Sequence, residues 1–186
     1  MHHGSLFLAA GCLLACAGTT ARPNGEAPGP AETLRPSTVA VATLIDSTGA
    51  QIGVATLTDS AGSAHLGLSV GGLSPGIHGL HIHAQGTCTP PSFVSAGPHL
   101  NPDGKKHGSQ NPEGPHIGDL PNFRAAANGS ADTSFAVLHD LATSGSRFLL
   151  PPGGTAIVIH AGPDDEVTDP AGSSGARVAC GVLKAP

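Results

Sequence analysis

Short apolar stretches separated by Gly, Pro, Asp and Ser recur from residue 38 to the end of the chain. Several of these stretches contain β-branched residues, and the residues between them have the composition of turns, which is typical of strands in a sheet. No amphipathic helix of useful length is visible. The pattern predicts an all-β sandwich or barrel of about eight strands, at residues 39–44, 51–58, 64–70, 79–84, 123–127, 133–138, 155–160 and 177–183.

Two gaps between the predicted strands are long, at residues 85–122 and 161–176. The first is dense in Gly, Pro, Asn and Asp, which indicates a loop rather than a helix or strand. A loop of this length in a compact domain needs something to order it. Three imidazoles and a carboxylate that close around a zinc ion would supply that order.

Six histidines and one aspartate have the spacing of ligands for two metal ions that share a ligand. His81 and His83 stand at i and i+2 of a predicted strand, so both rings point to the same face, and His160 ends another apolar strand. Imidazole suits copper and zinc, and a carboxylate that completes a three-His set suits zinc. The alternative is a set of solvated loop histidines, but such histidines rarely fall on strand ends and rigid turns together. The remaining members of the set are His99, His107, His116 and Asp119.

Five motifs carry a resemblance to a known family. They are Gly-Leu-His-Ile-His at 79–83, Gly-Pro-His-Leu-Asn-Pro at 97–102, Lys-His-Gly at 106–108, His-Ile-Gly-Asp-Leu at 116–120 and Gly-Ala-Arg-Val-Ala-Cys-Gly-Val at 175–182. Together, and in this order over residues 38–183, they resemble the copper/zinc superoxide dismutases. The resemblance implies an eight-stranded, immunoglobulin-like Greek-key barrel or sandwich, with loop 85–122 binding metal and loop 161–176 walling the active-site channel.

The resemblance also divides the ligands between two ions. Copper is expected on His81, His83, His99 and His160. Zinc is expected on His99, His107, His116 and Asp119. His99 would therefore bridge both ions as an imidazolate, and every ligand position of the family is filled in this chain.

Three further residues gain a role only through the resemblance. Asp164 matches an aspartate that accepts hydrogen bonds from a copper histidine and a zinc histidine, here His81 and His107. Taken alone, Asp164 would be interpreted as an exposed loop acid. Arg177 matches the arginine that lies over the open copper position and attracts the anionic substrate, although a lone arginine before a strand is usually a solvated surface charge. His78 matches a histidine with a structural hydrogen-bonding role, whereas His65 and His139 are expected at surface or barrel positions.

The implied activity is the dismutation of superoxide, with His99 and Arg177 as the catalytic residues. One superoxide reduces Cu(II) and leaves as dioxygen, and a second reoxidises Cu(I) and leaves, with two protons, as hydrogen peroxide. Zinc is redox-inert, so it would hold the loop and tune His99. Two alternatives are a copper- and zinc-buffering lipoprotein without significant turnover and a structural or adhesion module. A buffer needs neither Arg177 nor Asp164, and a structural module would be expected to lose ligands.

The net charge of the protein argues in part against an anionic substrate. The net charge of −5 repels superoxide at long range, so local focusing of the field must overcome it. Arg177 is the clear candidate for that focusing. Lys105 and Lys106 are candidate helpers, although they are better interpreted as ordinary solvated loop charges. Basic residues are few and unclustered, which argues against a nucleic-acid partner. The sequence does not decide between a monomer and a homodimer.

Two of the four cysteines lie in the body of the chain. The resemblance implies a disulfide between Cys88 and Cys180, with two free buried thiols as the alternative. Such a bond closes roughly 90 residues, for which chain entropy gives about 4–5 kcal/mol of stabilisation. It persists in an oxidising compartment, so we expect a location outside the cytoplasm, in the periplasm, and a role there in antioxidant defence.

The N-terminus predicts how the chain reaches that compartment. Residues 6–15 are apolar but too few to span a bilayer, and they end in Leu-Leu-Ala-Cys at 13–16. This resembles a bacterial lipoprotein signal, so residues 1–15 are predicted to be removed before a lipidated Cys16. Cys12 is a weaker rival site, and an ordinary cleaved signal peptide without lipid is the alternative. Residues 1–5 contain no Lys or Arg, which leaves a misassigned start or a weak signal open.

The chain beyond the predicted cleavage site divides into two parts. Residues 16–37 are rich in Ala, Gly, Pro and Thr and have few apolar anchors, which predicts a disordered tether to the membrane. Residues 38–186 fit one domain in length and show no internal repeat. The lipid at Cys16 would be the protein's one attachment to a membrane.

Overall fold

The computed structural model describes residue 1 and residues 36–60, 63–140 and 149–186. The chain separates into two units, Met1–Thr33 and Leu34–Pro186, and the fold below is that of the second. The first strand begins at Ser37, one residue before the predicted start of the domain. The predicted signal peptide, the lipidation site at Cys16 and nearly all of the predicted tether lie outside the described residues and stay predictions.

Eight antiparallel strands form the described part of the domain. The strands are β1 (Ser37–Asp46), β2 (Gln51–Ser60), β3 (Ser63–Val70), β4 (Gly76–His83), β5 (Asp119–Ala125), β6 (Ala131–Asp140), β7 (Ala156–His160) and β8 (Arg177–Val182). They pair in the order β5-β4-β7-β8-β1-β2-β3-β6. Strands β5 and β6 stand at opposite ends of that order, yet they are consecutive in the chain and contact each other. The sheet is therefore a nearly closed barrel, and the prediction of an all-β, eight-stranded fold is confirmed.

The barrel is filled by the inward-facing residues of alternating strands. In β3 buried and exposed residues alternate almost perfectly, as expected for a strand with one face on the core and the other in water. Leu44, Leu57 and Leu66 are fully buried in this core. The interior is mainly aliphatic and also contains the rings of Phe123 and Phe135.

Strands β4 and β7 differ because both of their faces are buried. Leu80 and Ile82 of β4 point into the barrel core, and so do Ile157 and Ile159 of β7. The alternate residues of β4, which include His81 and His83, are also buried, because the long loops cover the outer face of these strands. The space between this face and the loops contains the predicted ligands.

A disulfide ties the first loop to the barrel. Cys88 is bonded to Cys180 of β8, with Cα atoms 5.6 Å apart, which confirms the pairing implied by the resemblance. A short 3₁₀ helix at Val94–Ala96 follows in the same loop. The fully buried Phe93 packs with Ala96, Val158 and Cys180 in a second small apolar cluster outside the barrel.

Among the residues that the structure describes, no helix combines the length and the apolar character needed to cross a bilayer.

Candidate metal centre

Strand β4 is the platform on which the centre is assembled. Its backbone at Ile82 is bonded on both sides: the N–H donates to Gly118 O at 2.8 Å, and the C=O accepts from Leu100 N at 2.8 Å. Gly118 N in turn donates to Leu100 O at 2.9 Å. A β-carbon at Gly118 would overlap the carbonyl of Ile82, so only glycine permits this three-way junction. The junction brings the loop segments of His99 and His116 to the end of β4.

Four histidines converge on one point on the outer face of β4 and β7. They are His81 and His83 from β4, His99 from the loop and His160 from the end of β7. One ring nitrogen from each lies within 4.8 Å of the others, and all four residues are buried. These are the four residues that the resemblance assigns to copper.

Four ring nitrogens in this group are buried without a hydrogen-bond partner among the described residues. They are Nδ1 of His81 and Nε2 of His83, His99 and His160. A buried polar atom left unpaired is costly, unless a ligand binds there. A copper ion accepts imidazole nitrogen, so these four atoms fit a copper site.

The second nitrogen of each ring is held by the protein. His83 Nδ1 donates to Gly97 O at 2.8 Å and His160 Nδ1 donates to Gly175 O at 3.1 Å. His81 Nε2 lies 2.6 Å from Asp164 Oδ2. A hydrogen bond from one nitrogen leaves the lone pair on the other, so the protein turns the metal-binding face of these rings inward.

Asp119 is the centre of the second ligand set. Its Oδ1 lies 2.9 Å from Nδ1 of His99, 3.1 Å from Nδ1 of His107 and 3.1 Å from Nδ1 of His116. A tetrahedral zinc with bonds of about 2.0–2.1 Å has ligand–ligand edges of about 3.3 Å, so the four atoms fit a zinc site. Asp119 Oδ2 accepts from the backbone N–H of Gly108 and His116, each at 2.9 Å, which fixes the carboxylate.

Distances between ligand atoms also allow another set of four, in which His81 takes the place of His116 beside His99, His107 and Asp119. Nδ1 of His81 belongs with the first set, and its Nε2 contacts Asp164 at 2.6 Å. Nδ1 of His116, by contrast, contacts the Asp119 carboxylate directly. The geometry therefore favours His116 as the fourth member of the second set.

Asp164 connects the two sets. Its Oδ2 lies 2.6 Å from His81 Nε2 and its Oδ1 lies 2.9 Å from His107 Nε2. Burial alone would raise the pKa of Asp164, but the hydrogen bonds from His107 and His81 hold it well below its ordinary value. The buried, ionised carboxylate thus occupies the position that the resemblance implies, and not the exposed one expected from the local sequence.

Arg177 lies beside the first set. Its Nη1 donates to Phe93 O and its Nη2 to Gly97 O, each at 2.7 Å. The carbonyl of Gly97 also accepts from His83 Nδ1. The guanidinium and a ring of the first set are thus bound to the same peptide group, so a positive charge is held next to the four histidines.

Burial is the main influence on the titration of these rings. It lowers the pKa of His83 to about 2, that of His160 to about 3 and that of His99 to about 4. His107 behaves in the opposite way: burial lowers its pKa, but Asp119 and Asp164 outweigh burial and raise it to about 9. At neutral pH His83, His99 and His160 are therefore neutral, as metal ligation requires.

We expect the metal-free protein to lose stability steadily as the pH falls from 6.5 to 4. In this range the unfolded chain takes up protons on His83, His99 and His160, with ordinary pKa values of 6.5, while the folded protein resists them. Each group lowers the free energy of unfolding by up to about 1.4 kcal/mol per pH unit. Stabilisation from His107 is fully present below pH 6.5 and is lost only as the pH rises through 9.

Urea unfolding of chelator-treated protein at several pH values measures this dependence. The triple variant His83→Gln/His99→Gln/His160→Gln is the control and should show a much smaller slope. A flat profile for the parent protein between pH 6.5 and 4 would contradict the burial of these rings as neutral groups.

Three residues of the centre carry no sequence signal of their own. Asn122 exchanges two 2.8 Å hydrogen bonds with the backbone of Asp164. Gly172 has a positive φ of 61° and packs against Asp164 and His107. His78, anticipated only through the resemblance, lies with Nδ1 2.6 Å from the carbonyl of His160. Asn122 is 42 residues from Asp164, and His78 is 82 residues from His160. Gly172 belongs to the same loop as Asp164, but His107 lies in the other long loop, so local pattern could not identify these contacts.

A Gly172→Ala substitution should weaken metal binding. A β-carbon at this position would overlap the Asp164 carboxylate and Nε2 of His107, so Asp164 must move away from its partners. We expect about a tenfold loss in affinity for zinc, as for other lost supporting contacts, measured by chelator competition. Gly162→Ala is the matched control, because its β-carbon would meet only Ser174 O at an ordinary 3.5 Å. Equal zinc affinity in the two variants would contradict the role of Gly172.

His65 is exposed on β3, away from the metal centre. The side chain of His139 lies outside the described residues. Neither was predicted as a ligand, and every predicted ligand is brought into one of the two sets.

Comparison with known proteins identifies the family. Residues 51–183 match the family model described as copper/zinc superoxide dismutase (SODC). Superoxide dismutase [Cu-Zn] 2 of Aquifex aeolicus is 45% identical over 149 residues, which are 78% of this chain and 86% of that protein. Superoxide dismutase [Cu-Zn] of Caulobacter vibrioides is 47% identical over 122 residues, 64% of this chain and 70% of that protein.

Solved structures agree with these matches. A superoxide dismutase-like protein from Bacillus subtilis superposes with a TM-score of 0.74 at 35% identity, over 80% of this chain and 100% of that one. The Cu/Zn superoxide dismutase from Brucella abortus superposes with a TM-score of 0.63 at 28% identity, over 77% of this chain and 98% of that one. Because the family model matches most of this chain, from residue 51 to residue 183, the chain belongs to the copper/zinc superoxide dismutase family.

Proposed function

We propose that this protein dismutates superoxide to dioxygen and hydrogen peroxide. The observation that carries the proposal is the set of four buried ring nitrogens without hydrogen-bond partners, which converge beside a fixed arginine. Copper would be held by His81, His83, His99 and His160. Zinc would be held by His99, His107, His116 and Asp119.

The chain's own residues supply binding and proton transfer. Copper, when bound, supplies one-electron redox chemistry between Cu(II) and Cu(I). His99 faces the first set through Nε2 and the second set through Nδ1, so its ring can bridge both ions. When Nε2 of His99 is not bound to a metal, it could hold a proton inside the first set and donate it to the superoxide that has gained an electron. Two superoxide anions and two protons are consumed for each dioxygen and hydrogen peroxide released.

Arg177 provides the anion-binding group. Its guanidinium carries five N–H donors, and within the described residues the two recorded bonds, to Phe93 O and Gly97 O, leave donors for a small anion. Because both bonds go to carbonyl groups, the positive charge is oriented without being neutralised. A fixed cation beside the redox site attracts superoxide in spite of the net charge of −5.

The second candidate is a copper- and zinc-buffering protein without significant turnover. It is considered because one relative, from Bacillus subtilis, is named superoxide dismutase-like protein rather than superoxide dismutase. Storage requires the ligands but no anion-binding arginine. The presence of Arg177 next to the copper set favours catalysis over storage.

Superoxide removal by protein reconstituted with one copper and one zinc separates the two candidates. We expect fast, copper-dependent turnover that falls about tenfold or more in Arg177→Ala and is partly restored in Arg177→Lys, with copper content unchanged. Metal-loaded protein that binds both ions yet removes superoxide no faster than its zinc-only form would favour the buffer.

Lys105 should contribute to the association rate, and Lys106 should contribute less. Lys105 lines a cavity of about 510 Å³ together with His99 and His116, whereas the Lys106 Nζ lies 3.5 Å from a carboxylate of Asp169. Lys105→Ala is therefore expected to lower kcat/KM a few-fold at low ionic strength, and Lys106→Ala to lower it less. Because salt screens exposed charges, the difference should shrink at high ionic strength. Equal effects of the two substitutions would contradict a special role for Lys105.

We further propose that the protein works in the periplasm, in antioxidant defence, anchored by a lipid on Cys16. The disulfide between Cys88 and Cys180 supports this location, since such bonds persist in oxidising compartments, and the sequence around Cys16 supports the anchor. Labelling of cells with a radioactive fatty acid tests it: Cys16→Ser should abolish labelling, and Cys12→Ser should not. Labelling that survives Cys16→Ser would rule out this anchor.

A further inference from the structure

The loop between β7 and β8 lies against the zinc-binding part of the first loop along a continuous seam. Gln110 N donates to Glu166 O at 3.1 Å, and Asn111 Nδ2 donates to Val167 O at 3.4 Å. The same seam includes the contact of Asp164 with the ring of a zinc histidine. The two loops are therefore held together by bonds on several consecutive residues.

Asp169 closes this seam on the side that faces solvent. Its Oδ1 accepts a 2.8 Å hydrogen bond from the backbone N–H of His107. The same oxygen lies 3.9 Å from Nε2 of His116, and Oδ2 lies 3.5 Å from Nζ of Lys106. One carboxylate thus binds the backbone of one zinc histidine and faces the ring of another.

We propose that Asp169 is a positioning residue for the zinc site alone. It contacts His107 and His116, which belong only to the second set, whereas Asp164 contacts both sets through His81 and His107. Asp164 orients the ring of His107 and Asp169 fixes its backbone, so the two carboxylates restrain the same ligand from two directions. The proposal rests on the zinc assignment, not on turnover.

The physical basis is a charge-assisted hydrogen bond to a ligand's own peptide group. Bonds from a backbone N–H to an ionised carboxylate are stronger than those between neutral groups. Supporting contacts of this kind, when removed, commonly cost about 10–100-fold in metal affinity. The pair with Lys106 is about half exposed on both sides, and exposed pairs contribute little, so the contacts with the two histidines carry the effect.

The test is the zinc affinity of the full chain, measured by chelator competition, with copper affinity measured in parallel. Asp169→Ala removes both the hydrogen bond and the charge, and we expect zinc to bind about 10–100-fold more weakly. Asp169→Asn keeps an acceptor for His107 N, and we expect a loss of about tenfold or less. Copper affinity should stay within about twofold in both variants. The visible absorption of Co²⁺ in the zinc site should broaden in Asp169→Ala, because His107 and His116 are no longer fixed.

Two matched variants control for charge and for the ion pair. Asp165→Asn makes the same charge change in the same loop, but the Asp165 carboxylate accepts from Val167 N and Thr168 N and from the side chain of Ser173, and none of these donors among the described residues is a metal ligand. Lys106→Ala removes the ion pair and leaves the contacts with His107 and His116. Both should bind zinc nearly as the parent does.

Three results would overturn the proposal. They are zinc affinity in Asp169→Ala equal to that of the parent, equal losses of zinc and copper affinity, and a loss in Lys106→Ala as large as in Asp169→Ala. Because affinity is measured without superoxide, failure here is distinct from failure of the proposed activity.

Discussion

His160→Ala is expected to abolish at least about 99% of copper-dependent superoxide removal while zinc stays bound. The ring of His160 contributes its unpaired Nε2 to the first set, and it contributes no atom to the contacts around Asp119. Removing one of four imidazoles weakens copper binding and disturbs the geometry in which the ion reacts. Metal analysis by mass spectrometry together with a superoxide assay gives both quantities on one sample.

The structure indicates that this variant should still fold. The backbone of His160 is held at its carbonyl by His78 Nδ1, at 2.6 Å, independently of the ring. His65→Ala is the matched control, because His65 is exposed on β3 and contacts neither ligand set. Full activity in His160→Ala would refute the copper assignment, and loss of zinc along with copper would refute the separation into two sets.

The sequence predicts those features of the fold and the site that depend on residues close together in the chain. Short apolar stretches between turn residues identify the eight strands, and the i, i+2 spacing places His81 and His83 on one face, as observed. The start of β5 was predicted at 123 but lies at Asp119. Pro121 and the acidic Asp119 give this stretch a turn-like composition, yet it pairs with β4 in the register His81↔Asp119. Tertiary pairing overrides local composition here.

What the sequence alone could not predict depends on contacts between distant loops. Asp164, taken by itself, was interpreted as an exposed acid, but burial between two ligand rings makes it a central carboxylate. Asn122 supports it from strand β5, and Gly172 of its own loop packs against both Asp164 and His107 of the other loop. Asp169 lies beside the chain's zinc histidines for the same reason. A family resemblance can indicate such residues, whereas strand periodicity cannot.

The disulfide and the arginine restrain the same part of the first loop. Cys88 is bonded to Cys180 of β8, and Arg177 of the same strand binds the carbonyls of Phe93 and Gly97. The segment of loop that leads to His99 is therefore attached to β8 at three points. Stability of the fold and position of the bridging ligand are coupled through this attachment.

The double variant Cys88→Ala/Cys180→Ala is accordingly expected to lose about 4–5 kcal/mol in free energy of unfolding, the chain-entropy value for the 92-residue separation. Alanine is the better replacement at position 180, because this site is fully buried and serine would leave a hydroxyl without a partner. Urea unfolding of the metal-free protein measures the loss. We also expect lower activity at full copper occupancy, since Arg177 and His99 lose a common restraint.

Reduction of the parent protein with a thiol is the control, because it opens the same bond without removing side-chain atoms. The reduced parent and the double variant should agree within about 1 kcal/mol if the loss comes from the cross-link itself. A large loss in the variant but none on reduction would assign it to packing of Cys180 against Phe93 and Val158. Unchanged stability in both would mean that the contacts of Arg177 suffice to hold the loop, and it would contradict the stabilising role of the disulfide.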